Sequence, residues 1–241
     1  MRPFGIPAGV RYRKATNLLL LFLLPIFALA RLPEAQLQDL TLGAQLARTG
    51  QYREGLRVAS DATKRFPSDA RVFQMLGYFQ TKLQLNRDAV RSYARALQLD
   101  PASPEASVGL GTAQFSAGLE DEAIRTLERG IAQFPDDATH YQALGVVLLR
   151  VAEQGRDTKA RAQSMFEKSL RIDNALAEAH YELGAMALQA DDIRSAENHL
   201  LAAERSAPND SRIHFALARL YRRQGNAQAA DQEMKAFLSA K

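Results

Sequence analysis

The stretch "YARALQLDPASPEASVGLG", residues 93–111, ends one apolar helical stripe at Pro101 and begins another a few residues later. Proline cannot continue a helix, and it disfavours helical backbone in the residue before it. Ser103 is a good N-cap, and Pro104 suits the first position of a new helix. The stretch therefore predicts a corner between two helices.

The corner recurs with a fixed period. Pro67, Pro101 and Pro135 are spaced by 34 residues, and a step of 34 back from Pro208 falls on Asn174. Each proline is followed two positions later by a capping residue: Asp69, Ser103, Asp137 and Asp210. The interval from Pro135 to Asn174 is 39 residues, which places five extra residues around Val151–Lys159.

Small residues recur with the same period. A Leu-Gly pair or its equivalent returns as Leu42-Gly43, Leu76-Gly77, Leu110-Gly111, Leu144-Gly145, Leu183-Gly184 and Leu217-Ala218. A second small residue follows as Gly55, Ala89, Ala123, Ala162, Ala196 and Ala230. Glycine inside a helix costs about 1 kcal/mol relative to alanine, so the recurrence indicates compensation. We expect the two small residues to face each other across a helix pair, with Gly50, Gln84, Gly118, Asp191 and Gly225 in the turn between the helices.

The pattern resembles the tetratricopeptide repeat (TPR), most closely in Phe73-x-x-Leu76-Gly77, Ala89-x-x-x-Tyr93, Ala96 and Pro101. The resemblance implies an all-α, right-handed solenoid of six helix-turn-helix units after a short linker at 31–35. The units are expected near 36–69, 70–103, 104–137, 138–176 (with the insertion), 177–210 and 211–241. A composition rich in Ala, Leu, Arg, Gln and Glu independently favours helix.

The resemblance also implies a concave groove lined by the first helix of each unit. Carried onto this sequence, the family's groove positions give Leu40, Tyr78, Lys82, Phe115, Leu149, Arg150, Tyr181, Leu188, Phe215, Arg219, Arg222 and Arg223, and also Arg48, Arg71, Val108 and Val146. Such a groove would bind a protein or peptide partner with apolar anchors and acidic residues. Packing between repeats and solvated arginines are the alternative interpretation.

One family function is not expected. TPR domains that bind the C-terminal carboxylate of cytosolic chaperones use lysine and asparagine at set groove positions. Those positions hold Leu40, Ala44, Gln74 and Tyr78 here. The sequence therefore predicts no carboxylate clamp of that kind.

The N-terminal residues are typical of a secretory signal peptide. Arg11, Arg13 and Lys14 precede an apolar run at 18–30 that ends in Ala28-Leu29-Ala30. The run is 13 residues long and contains Pro25, which makes it short for a membrane span. We therefore expect a cleaved signal at 1–30, a mature N-terminus at Arg31 and a periplasmic or secreted protein. A membrane anchor through residues 18–30 is the alternative.

The charge distribution argues against a nucleic-acid partner. Four of the 31 basic residues and none of the 27 acidic ones lie in residues 1–30, so residues 31–241 have a formal net charge of zero. The basic pI belongs to the leader. The chain has no cysteine, which excludes disulfides, thiolate zinc sites and thiol nucleophiles.

Catalytic motifs are not found in the sequence. It has no Gly-rich phosphate loop, HExxH motif or nucleophile elbow, and the pairs Asp136-Asp137 and Asp191-Asp192 fall where helix capping explains them. His180 and His214 share one repeat position, for which packing is expected rather than metal binding. We therefore expect a non-enzymatic scaffold without cofactor or metal. A periplasmic chaperone, a secretion or pilus assembly factor, and a noncatalytic subunit of an envelope enzyme are the alternatives.

Overall fold

The computed structural model describes residues 34–239, and the expected signal peptide at 1–30 lies outside them. All twelve regular elements of residues 34–239 are α-helices. They are α1 Glu34–Arg48, α2 Tyr52–Arg65, α3 Ala70–Lys82, α4 Asn86–Leu99, α5 Pro104–Ser116, α6 Glu120–Gln133, α7 Ala138–Glu153, α8 Lys159–Ile172, α9 Ala177–Gln189, α10 Ile193–Ser206, α11 Ser211–Arg223 and α12 Ala227–Ser239. Consecutive helices form six antiparallel pairs, which confirms the all-α fold class.

Side-chain caps fix the corners between the pairs. The expected caps accept hydrogen bonds from backbone N–H groups of the following helix, at 2.9 Å for Asp69, 3.1 Å for Ser103, 3.2 Å for Asp137 and 2.9 Å for Asp210. Leu176 cannot provide such a cap before α9. There the Asp173 carboxylate instead accepts from the Ala175 N–H at 3.0 Å, inside the corner.

The turns within the pairs use left-handed backbone, as the sequence predicts. Positive φ occurs at the five predicted turn residues, Gly50, Gln84, Gly118, Asp191 and Gly225, and also at Gly155 in the longer turn of the fourth pair. Gln84 and Asp191 adopt φ of 59° and 64° without being glycine, a conformation that costs L residues some strain.

The mid-helix glycines make room for large side chains. A Cβ atom at Gly111 would lie 2.6 Å from Leu127 Cγ, and one at Gly145 would lie 2.8 Å from Phe166 Cε1. Gly77 meets Tyr93 and Gly184 meets Leu200 in the same way. The expectation that a small residue faces each glycine is therefore wrong. Side chains on a helix lean toward its N-terminus. The residue that packs against each glycine is therefore the large one that lies four positions after the small residue of the second helix.

The five extra residues of the fourth pair lengthen one helix and one turn. Helix α7 has 16 residues where α5 has 13, and residues 154–158 separate α7 from α8. Phe166 nonetheless meets Gly145 as Leu127 meets Gly111, so the two helices keep the register of the other pairs. The Thr158 hydroxyl holds the long turn against α7 by donating to the Leu148 carbonyl at 2.7 Å.

Buried polar groups join successive units. The Gln36 amide donates to the Asp69 carboxylate, and the Gln74 amide donates to the Ser103 hydroxyl. Gln36, Gln74 and Ser103 are buried. In both cases a side chain on the first helix of one unit bonds to the residue that caps the first helix of the next.

The apolar core continues along the array. Its largest cluster lies between α6, α7, α8 and α9 and includes Leu127, Leu148 and Phe166, all fully buried. Two further clusters cover α1 to α3 and α9 to α11. Among the helices of residues 34–239, none combines the length and the apolar character required to span a bilayer.

Candidate functional site

The first helices of the pairs form one face of the array. Helix α1 packs on α3, α3 on α5, α5 on α7 and α9 on α11, while no comparable packing joins successive second helices within residues 34–239. Elements on the inside of a curved stack approach one another more closely than those on the outside. We call this side, formed by α1, α3, α5, α7, α9 and α11, the inner face.

At the N-terminal end of this face the predicted groove residues are largely packed. Leu40 is buried, and Tyr78 is half-buried with its ring edge against Phe79. The Lys82 ammonium lies 5.5 Å from the centre of the Tyr78 ring, a distance suited to a cation–π contact. Burial raises the pKa of the Tyr78 hydroxyl above its ordinary value, so this hydroxyl stays protonated at neutral pH.

The middle of the face carries a paired arginine. Arg150 on α7 reaches Glu153 at 2.9 Å and Glu182 on α9 at 2.7 Å. Glu182 is only 3% exposed, and burial raises the pKa of its carboxyl although Arg150 opposes the shift. The arginine therefore joins the fourth and fifth units. Leu149 beside it is buried in the core, while Phe115, Val108 and Val146 are half-buried.

At the C-terminal end an arginine covers a tyrosine. The Arg212 guanidinium on α11 lies 4.9 Å from the centre of the Tyr181 ring on α9. It also donates to both carboxylate oxygens of Glu178, at 3.1 and 2.7 Å, and to Asp210 at 2.7 Å. Tyr181 is half-buried, and burial followed by the charge of Glu182 raises the pKa of its hydroxyl. The Tyr181 ring is thus covered by a side chain of the next unit.

Phe215 is the most exposed aromatic residue among the predicted groove positions. It lies on α11 at the position that Tyr181 occupies on α9, and 43% of its surface is exposed. Its ring centre is 5.5 Å from that of Phe237 on α12. Arg219 and Arg222 on the same helix are exposed.

Two of the predicted groove residues, Leu188 and Arg223, serve the fold instead. Leu188 is 2% exposed and packs in the core. Arg223 donates to the Leu188 carbonyl and pairs with Asp191 at 3.0 Å, so it binds the preceding unit. Of the predicted basic residues, Arg71 is likewise paired, with Asp69, while Arg48 is exposed. Partner binding at the groove residues stays a prediction.

Sequence reasoning missed the acidic side of this face. Glu178 and Arg212 occupy the second position of consecutive repeats, a groove position that could have identified them had charge pairs been considered. Glu182 lies outside the groove positions, and no sequence signal marks it. Of these carboxylates, Glu182 pairs with the predicted Arg150, whereas Glu178 and Asp210 pair with Arg212, which the prediction did not include.

The four histidines are buried or half-buried, and each has a polar partner; packing was the expectation for His180 and His214. The His140 ring is fully buried, stacks on Phe134 and lies 2.5 Å from the Asp137 carboxylate. His180 and His199 approach with their Nδ1 atoms 3.0 Å apart, and burial lowers the pKa of both rings. His214 is 7% exposed and faces Glu233 at 2.8 Å.

Sequence comparisons identify the repeat. Residues 86–145 and 181–240 match two family models, each described as "Tetratricopeptide repeat". Hsp70-Hsp90 organizing protein 1 of Glycine max is 26% identical over 95 residues, 39% of this chain and 17% of that protein. Protein FlbA of Caulobacter vibrioides is 25% identical over 174 residues, 71% of this chain and 28% of that protein. The chain thus spans less than a third of the length of either relative.

Solved structures share the fold. The type IV pilus biogenesis factor PilW superposes with a TM-score of 0.67 at 17% identity, covering 86% of this chain and 94% of PilW. Pseudomonas aeruginosa pilF superposes with a TM-score of 0.67 at 19% identity, covering 83% of this chain and 89% of pilF. A thermophilic TPR protein of Thermus thermophilus superposes with a TM-score of 0.64 at 20% identity, covering 80% of this chain and 98% of that protein. The two family models thus identify tetratricopeptide repeats at 86–145 and 181–240, and the solved structures show that the helix array as a whole shares the fold.

Proposed function

We propose that this chain is a non-enzymatic scaffold, exported to the cell envelope, that binds a protein or peptide partner on the inner face. The observation that carries the proposal is the pair Tyr181 and Phe215. They occupy equivalent positions on adjacent first helices, one covered by Arg212 and the other 43% exposed. Aromatic and arginine side chains are the types most enriched among binding hot spots, and an aromatic side chain has only two torsion angles to fix on binding.

The surrounding charges define the partner chemistry. Arg219 and Arg222 are exposed on the same helix as Phe215, whereas Arg150, Arg212 and Arg223 are committed to carboxylates. A partner segment with an apolar anchor beside acidic residues would bury the ring and pair with the two exposed arginines. Residues 31–241 carry no net charge, which gives no support to a nucleic-acid partner.

Affinity capture from the native envelope fraction tests the binding face. The tagged full chain is compared with Tyr181→Ala/Phe215→Ala, and the recovered proteins are quantified by mass spectrometry. We expect the double variant to recover at least about tenfold less of the main partner, because each lost anchor removes about 1–2 kcal/mol. Arg219→Gln/Arg222→Gln should mainly weaken the salt dependence of partner binding and slow the association of the partner.

The matched control is Leu85→Ala/Leu119→Ala. These leucines are about as exposed as Phe215, at 41% and 40%, but they precede the second helices α4 and α6. Circular dichroism and thermal melting must show that the Tyr181→Ala/Phe215→Ala variant and this control stay folded. A folded Tyr181→Ala/Phe215→Ala protein that recovers the partner as the control does would place the binding surface elsewhere.

Export is tested separately by intact-mass measurement of the native protein. We expect the mass of a chain that begins at Arg31, because a basic start, an apolar run and small residues at 28–30 are typical of a cleaved signal. A full-length mass in the membrane fraction would instead indicate an anchor through residues 18–30, and a full-length mass in the soluble cytoplasm would refute export.

A role in pilus or secretion assembly is the second candidate. Its support is that two solved structures similar in fold over more than four fifths of this chain are PilW, a type IV pilus biogenesis factor, and pilF. Recovery of pilus or secretion components in the capture experiment would favour it. Many transient clients would indicate a chaperone, and enzymatic activity that the pure protein lacks would indicate an accessory subunit.

A further inference from the structure

Three side chains from three helices converge near the C-terminal end of the array. His214 on α11 directs its Nδ1 atom at Glu233 Oε2 on α12, 2.8 Å away, and at Glu204 Oε1 on α10, 3.9 Å away. The ring nitrogen and one oxygen from each carboxylate all lie within 4.8 Å of one another. One imidazole and two carboxylates are a ligand set that divalent transition metals accept.

The other nitrogen of the ring fixes its tautomer. His214 Nε2 lies 2.9 Å from the Pro208 carbonyl oxygen. Because a carbonyl only accepts, Nε2 carries the hydrogen, and the neutral ring then presents the lone pair of Nδ1 to two carboxylates. Three acceptors pointing at one place require a positive charge between them, which a proton or a metal ion can supply. Metal-binding histidines are held in the same way, by donating the other N–H to a carbonyl or carboxylate.

The electrostatics around the cluster are negative. Burial and then the charge of Glu233 raise the pKa of Glu204, with His214 and Arg205 opposing. Burial by itself would lower the pKa of His214, but its hydrogen bonds and the two carboxylates reverse the shift and raise it. The pKa of the Tyr221 hydroxyl is raised as well, by burial and then by the charges of Glu233, Glu197 and Glu204. These shifts reflect the close approach of the ring and the two carboxylates that the distances show.

The preceding unit shows that the repeat does not require this arrangement. His180 lies 34 positions before His214, and its Nε2 is likewise 3.1 Å from a carbonyl oxygen, that of Asn174. Its Nδ1, however, meets His199 at the position equivalent to Glu233. Leu170 stands at the position equivalent to Glu204. The same backbone therefore holds a histidine pair in one unit and a complete three-ligand set in the next.

We propose that Glu204, His214 and Glu233 form a binding site for a divalent transition-metal ion, with Zn²⁺ as the ion best suited to the ligands. The imidazole favours zinc over Mg²⁺ and Ca²⁺, which prefer oxygen ligands. Ligands on a tetrahedral zinc ion stand about 3.3 Å apart, so small side-chain rotations suffice. Glu204 and Glu233 remain partly exposed, which gives the ion a route to the site. The bound ion would link α10 of the fifth unit to both helices of the sixth.

Calorimetric titration of the tag-free full chain tests the site. The protein is stripped with chelator, dialysed and titrated with ZnCl₂ and, in parallel, with MgCl₂, while thermal melting is followed with and without zinc. We expect one Zn²⁺ per chain, a higher melting temperature with zinc, and no response to Mg²⁺ at the same concentration. Glu204→Gln/Glu233→Gln, which preserves side-chain size, should weaken zinc binding by at least about tenfold.

The matched control is His180→Asn/His199→Gln, which removes the histidine pair of the fifth unit and leaves the three proposed ligands intact. Its zinc affinity should equal that of the parent chain. Glu204→Gln alone, which changes the most exposed ligand, provides a variant that keeps the fold if the double variant does not. Absence of zinc binding, zinc binding that neither glutamine variant weakens, or equal loss in the control would overturn the proposal.

Discussion

Phe166→Ala should lower the free energy of unfolding by about 3–5 kcal/mol, the range found when a fully buried aromatic ring is truncated. Phe166 is 0% exposed and lies in the largest core cluster, where its ring closes the approach of α8 to Gly145 on α7. Because each unit is stabilised by its neighbours, a cavity in the fourth unit should also uncouple the two halves of the array. Denaturant unfolding followed by circular dichroism should show a lower midpoint and a broader or two-step transition.

The control for this experiment is Ile172→Ala on the same helix. Ile172 is 40% exposed, and its truncation should cost about 1 kcal/mol or less. If Phe166→Ala unfolds at the same denaturant concentration as Ile172→Ala, then the fourth unit is not packed as described.

Gly111→Leu should destabilise the third unit by about 1–3 kcal/mol through overpacking. Even a single Cβ atom at this position would lie 2.6 Å from Leu127 Cγ, and neither helix can retreat without losing its contacts with the next unit. Thermal melting and denaturant unfolding measure the loss.

A double variant shows whether the close contact is the cause. Leu127→Ala alone removes a fully buried side chain and should cost about 2–5 kcal/mol. In Gly111→Leu/Leu127→Ala the new leucine occupies the vacated volume, so the double variant should be more stable than the sum of the two losses predicts. Strict additivity would contradict a direct contact between the two positions.

The parts of the fold that the sequence predicts well depend on neighbouring residues. Asp69 caps the helix that starts one residue later, and Asp191 bends the turn it occupies, so the residue type alone indicates the local backbone. The 34-residue period then repeats this information. The contact of Gly111 was predicted incorrectly because it depends on how far a leucine on the second helix reaches back along its own axis.

The candidate site was less predictable because its contacts join residues about one repeat apart. Arg150 and Glu182 are separated by 32 residues, and nothing near either one in the sequence indicates the other. Leu188 satisfies the family's groove pattern, yet it is buried by the packing of the fifth and sixth units. Position within a repeat therefore predicts which helices form the inner face, whereas the structure was needed to tell which of their side chains are buried and which are exposed.

The buried amide of Gln74 limits how such a protein can evolve by exchanging its repeats. Its acceptor is the hydroxyl of Ser103, which belongs to the cap of the following unit. A recombination that joined α9, together with the residue that precedes it, to the corner after α4 would put Leu176 in place of Ser103 and leave the buried amide without an acceptor, at a cost of about 1–3 kcal/mol. Units that look interchangeable by their shared pattern are therefore ordered by what each one supplies to the unit before it.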